Sequence, residues 1–211
     1  MKTSIKYIVA IFAMALTFVS CSNDDETAVN ELDGITKFKE ITNDTHTIEL
    51  YSQVGSLEQG YNEISLRIKE NATNNYIKNA EVSWSPLMHM TSMTHACPYS
   101  TVEKVTENGT LYEGYIMFQM AQNDTEYWDL KIDYTINGVD YTATDVIDVP
   151  ASAKRKVNTF TGSDGVKYLV AYIEPHHPKV AVNDMKVGVW KMQNMMTFPV
   201  VDGYTVKIDP R

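Results

Sequence analysis

Apolar and polar residues alternate with a period of two along most of the chain. Ile64, Leu66 and Ile68 alternate with Glu63, Ser65, Arg67 and Lys69, the pattern of a strand with one buried and one wet face. Val82 and Trp84 alternate with Glu81 and Ser83, and Trp128, Leu130, Ile132 and Tyr134 with Asp129, Lys131 and Asp133. Between two such runs stands Asn137-Gly138, which predicts a two-residue hairpin because both turn positions favour positive φ. Past residue 20 no stretch carries a helical period. Many short strands separated by Asn, Gly and Asp clusters predict an all-β fold, an immunoglobulin-like antiparallel β-sandwich over residues 45–149. Residues 150–156, Pro-Ala-Ser-Ala-Lys-Arg-Lys, read as a linker.

Residues 157–211 begin the same unit again. Asn62-Glu-Ile-Ser-Leu-Arg-Ile68 matches Asn183-Asp-Met-Lys-Val-Gly-Val189 in apolar pattern, at an offset of 121 residues. Ala80-Glu-Val-Ser-Trp-Ser-Pro86 matches Tyr204-Thr-Val-Lys-Ile-Asp-Pro210 at an offset of 124. A small loop insertion therefore separates the two blocks, and two blocks in one order indicate a repeat. The first copy continues beyond Pro86 into further strands, whereas the sequence given stops at Pro210-Arg211. An incomplete second copy, truncated within its domain, is the expectation, since half a sandwich leaves edges unpaired. The competing expectation is that residues 157–211 add strands to one larger sheet.

The N-terminus has a different pattern. Lys2 and Lys6 precede an apolar run from Tyr7 to Val19, too short to span a bilayer comfortably but suited to a signal peptide over residues 1–20. Phe18-Val19-Ser20-Cys21 resembles the bacterial lipobox, with Phe18 where that motif usually has Leu. The resemblance implies lipidation of Cys21, and acyl chains anchor at about 0.8 kcal/mol per buried methylene. The alternatives are an ordinary secretory signal or an uncleaved anchor. Ser22-Asn-Asp-Asp-Glu26 is similar to the surface-export signal of Bacteroidetes lipoproteins, and it reads equally as part of a solvated tether over residues 21–44. Together these imply an outer-membrane lipoprotein, on the periplasmic face or the cell surface.

Charge and cysteine usage narrow the functions. Loss of residues 1–20 removes two lysines, leaving 16 basic and 27 acidic residues and a net charge of −11. Without a basic stripe the chain is not expected to bind nucleic acid. Cys97 is the only cysteine besides Cys21, so no intrachain disulfide framework is expected, and the leftover thiol reads as reactive, intermolecular or metal-ligating.

The most unusual stretch is Pro86-Leu-Met-His-Met-Thr-Ser-Met-Thr-His-Ala-Cys-Pro98. Met88, His89, Met90, Met93, His95 and Cys97 are six soft or borderline ligands within ten residues. Thioether and thiolate sulfur select Cu(I), and imidazole serves copper or zinc. In an extended chain Met93, His95 and Cys97 share one face while His89 opposes Met88 and Met90; a loop could fold both sets onto one ion. Met117 is a further candidate, whereas Met120 shares a face with Ile116 and Phe118 and reads as core. The alternative for the whole stretch is a hydrophobic plug over the end of the sandwich. His176-His177 reads as a loop feature, and His46 has no informative neighbours.

Together with Leu111-Tyr-Glu-Gly-Tyr115, Phe118-Gln-Met120 and Tyr127-Trp-Asp-Leu-Lys-Ile132, the Met/His stretch resembles the YtkA-like/FixH-like domains over about residues 60–149. That resemblance implies a membrane-associated β-sandwich linked to copper or oxidase assembly. The chain departs from the pattern at Gln122-Asn-Asp-Thr-Glu126, where the family has a short Gly turn. No nucleophile elbow, phosphate loop or HExxH is present. Cys97 beside His95 or His89 lacks an orienting third group, so an enzyme is not expected. Two functions remain: an exported module that binds Cu(I) or another soft metal, or a surface-displayed interaction or spacer module without metal, its protein partner unspecified.

Overall fold

In the computed structural model residues 30–203 are described; the signal segment, Cys21 and the Tyr204–Pro210 block lie outside the described residues. Every regular element described is a strand. Five strands form one antiparallel sheet in the order β1 (Thr36–Thr42), β2 (His46–Ser52), β3 (Gly60–Glu70), β7 (Tyr112–Phe118), β6 (Glu103–Lys104). Four more form a second, in the order β5 (Thr94–His95), β4 (Glu81–His89), β8 (Tyr127–Ile136), β9 (Val139–Ile147). The protein is an all-β sandwich.

The alternation read from the sequence decides which faces meet. Ile64, Leu66 and Ile68 from β3 and Trp84, Trp128, Leu130 and Ile132 from β4 and β8 are sealed in one core. Each such side chain contributes about 1.5–3 kcal/mol relative to exposure. Asn137 and Gly138 both have positive φ, 51° and 79°, and close the expected β8–β9 hairpin. Strand β1 corrects the expected tether, which ran to residue 44. Its charges, Lys37, Lys39 and Glu40, lie on a sheet edge, while Ile41 is fully buried and Phe38 packs against the core. An edge strand needs only a few apolar anchors and tolerates charge.

After the irregular residues 150–156, β10 (Val157–Thr161), β11 (Lys167–Glu174) and β12 (Lys186–Lys191) form a third antiparallel sheet in that order. It repeats β1–β2–β3 in wiring. Asn62 accepts from the Glu58 amide and donates to the Glu58 and Gly60 carbonyls. Asn183, 121 residues on, accepts from Lys179 and donates to Lys179 and Ala181. The correspondence extends beyond the strand. Lys69 bridges Tyr76, flanked by Glu70 N to Asn75 O and Ile77 N to Ile68 O; Trp190 bridges Val200, flanked by Lys191 N to Pro199 O and Val201 N to Val189 O.

One face of this third sheet packs on the outside of the five-stranded sheet. Leu169, Ala171, Ile173 and Trp190 bury Met117 of β7, with Tyr61 and Tyr115 beside them. The Trp190 indole lies across Gly188, where a Cβ would have no room, and its N–H donates to the Tyr115 hydroxyl at 3.2 Å.

Candidate functional site

The Met/His segment is a hairpin. Met88 pairs with His95 and His89 with Thr94. Beyond them the Met90 amide donates to the Met93 carbonyl at 2.9 Å, leaving Thr91 and Ser92 at the tip. Alternation along paired strands then sorts the ligands. Met88, Met90, Met93 and His95 belong to the face turned toward the core, and His89 belongs to the other.

Burial agrees with that sorting. Met88 is fully buried, Met90 packs against the core, His95 is 5 % exposed and Met93 is 50 % exposed at the rim. Across the sheet His95, Met88, Trp128 and Ile147 stand in one row, with the His95 ring edge-on to Trp128 at 5.6 Å between centroids. His89 stacks on Tyr127 at 4.8 Å and 13°, and its Nε2 lies 2.6 Å from Asp129 Oδ2. Cys97 is fully buried in the main core, and burial pushes its thiol well above the ordinary value, away from the thiolate that ligates metals. Met117 is also fully buried, on the outer face of β7 under the third sheet. The fold thus gathers Met88, Met90, Met93 and His95, and leaves His89, Cys97 and Met117 in other settings.

His95 is oriented by groups that the sequence did not reveal. Its Nδ1 sits 2.8 Å from the Ala96 carbonyl, and Gln119 Nε2 lies 3.1 Å from both that carbonyl and Nδ1. A carbonyl can only accept, so the shorter contact, at 2.8 Å, favours the proton on Nδ1, with the Gln119 amide giving its hydrogen to the carbonyl rather than to the ring. The alternative tautomer would set two lone pairs against each other. Nε2 then carries a free lone pair. It has no hydrogen-bond partner among the described residues, whereas the oxygen of the Gln119 amide beside Nδ1 is buried and unpaired. His95 as a whole is 5 % exposed. A carbonyl that holds one ring nitrogen fixes the tautomer and the orientation of the ring, as second-shell groups do for ligating histidines in general.

The remaining histidines are occupied or remote. His46 is 5 % exposed and sits between Tyr134 and Tyr141, where burial holds its pKa below the ordinary value against the charge of Glu70. His176 and His177 are exposed in the loop after β11, with His176 Nε2 3.3 Å from Glu174. Among the described residues no three of His, Cys, Asp and Glu are grouped to hold a metal, so any site here depends on thioethers.

Set against known proteins, the chain matches no family model, no curated protein and no solved structure.

Proposed function

We propose that the protein binds a soft metal ion, Cu(I) foremost, at the open end of its sandwich. His95 Nε2 supplies the imidazole and Met90 and Met93 supply thioethers, with Met88 behind them. The observation that carries this reading is His95, its Nδ1 held at a carbonyl and its position paired across from Met88 on the face that also carries Met90. An imidazole with thioethers is a neutral donor set, which suits a soft monovalent cation better than a hard divalent one. The Trp128 ring lies within reach of the imidazole and adds a polarisable wall. The resemblance to YtkA-like domains points the same way, and lipidation at Cys21 would hold the module outside the cytoplasm, where copper is handled.

The test is Cu(I) competition against a chromogenic chelator, without oxygen, in protein carrying Cys21→Ser so that the second thiol of the chain does not contribute. One equivalent is expected to bind, weakened roughly tenfold or more by His95→Ala or by Met90→Ala with Met93→Ala, a loss of about 1.4 kcal/mol or more. His89→Ala and Met117→Leu should leave affinity unchanged. Binding no tighter than that of a free peptide spanning residues 86–98, or binding indifferent to His95, sinks the proposal and leaves the interaction module.

A further inference from the structure

The pairings around β3 and β12 correspond except for three extra residues after β12, and the ladder shows where they lie. The offset is 121 as far as Lys191, paired like Glu70, and 124 from Pro199, paired like Asn75. The extra residues therefore lie between Met192 and Phe198, in the sequence Met192-Gln-Asn-Met-Met-Thr-Phe198. In the first copy the equivalent connection is a short turn at Asn71–Asn74. In the second the longer loop reaches the first sandwich, where the Ala96 amide donates to the Met195 carbonyl at 2.9 Å. Ala96 adjoins His95 and supplies the carbonyl that fixes its tautomer.

We propose that the Met195–Met196 turn is a second arm of the soft-metal site and supplies at least one further thioether to the ion at His95. This rests on the reading above and extends it to residues from the other copy. The loop is built rather than loose: Asn194 bridges Thr197, Gln193 N donates to Thr197 O, and Asn194 Oδ1 accepts from the Met196 amide at 2.8 Å. Its methionines nonetheless remain in solvent, Met195 at 37 % and Met196 at 51 %, as does Met93 at 50 %. Met side chains have three rotatable bonds and adapt to a partner readily. An ordered turn hydrogen-bonded to the residue beside His95, with its thioethers left in water, is explained by a ligand that they close over. Two arms from different sheets also allow an ion to be taken up or released by separating them, without unfolding either.

The experiment uses protein labelled at the methionine methyl groups, carrying Cys21→Ser, with Ag(I) as a redox-inert stand-in and Cu(I) in the chelator competition. The expected result is that methyl resonances of Met195 or Met196 shift together with those of Met90 and Met93 on Ag(I) addition, while Met117 and Met185 stay in place. Met195→Leu with Met196→Leu, which keeps volume and removes sulfur, should weaken Cu(I) binding about tenfold. If binding persists and needs His95, but the Met195 and Met196 methyls do not move and the double Leu variant binds as tightly, this inference fails and the site stands. If neither ion binds, or neither depends on His95, both fail together.

Discussion

Ile68 and Val189 occupy corresponding places in two three-stranded arrangements with similar pairings, yet one is sealed and the other only partly buried. Both belong to the strand that follows the three-bond asparagine loop, and both carry apolar partners across the ladder, Ile48 and Val170. The faces have exchanged roles. On the outside of the first sandwich the pairs are Thr47 with Lys69 and Glu49 with Arg67. At the corresponding places in the third sheet they are Leu169 with Trp190 and Ala171 with Gly188, the face pressed against Met117 and Tyr115. Backbone wiring is local, so similar pairings arise on differently patterned strands. Burial depends on what lies opposite, so it is rewritten position by position.

The sharpest way to break this comparison is at the exchanged face. Trp190→Lys, which installs the residue of the first copy, removes the indole from its contact with Met117 and Tyr115. Losing a buried Trp costs about 3–5 kcal/mol, and limited proteolysis should then cut within β10–β12 while the sandwich stays intact. Next in size is the matched pair. Ile68→Ala is expected to cost about 2–5 kcal/mol in denaturant unfolding, and Val189→Ala no more than about 1 kcal/mol because less area is removed from water. Equal losses would mean that the Val189 face is covered in solution.

The smallest effect sets the charged face apart from the apolar one. Glu49 is only 3 % exposed. Burial pushes its carboxyl up, but hydrogen bonds from Tyr51 and Tyr76 and the charges of Lys37 and Lys69 outweigh it, and the net direction is below the ordinary 4.5. A depressed carboxyl stabilises the fold above its unfolded value, and that share is lost as pH falls through the folded one. Glu49→Gln should therefore flatten the decline of stability below pH 4.5 without altering Cu(I) binding measured at neutral pH. An unchanged acid limb would show that other carboxylates govern it.

Where a single residue type decides local structure, the sequence was legible. Alternation placed β3, β4 and β8, and Asn137-Gly138 placed the hairpin. Strand β1 was missed because edge charges outnumber its anchors. The hairpin β4–β5 read as a loop because Thr91-Ser92 carries no turn signature and β5 is two residues long. Within the site, the clustering of sulfur and imidazole was visible, and so was the opposition of His89 to Met88. The setting of His95 was not, since Gln119 reaches it from just past the end of β7, 24 residues on. Nor was the pairing of His89 with Asp129, which is 40 residues distant. Met195 could have been found by asking where the three-residue offset falls, which only the ladder pairings locate.

The hydrogen bond from the Ala96 amide to Met195 also acts as a clock. Amides within the sandwich exchange with solvent when the whole fold opens, whereas a bond between two sheets breaks whenever those sheets part. The exchange rate of that single amide therefore times the separation of the third sheet from the sandwich, and its slowing when an ion is added would measure how firmly the two are held together.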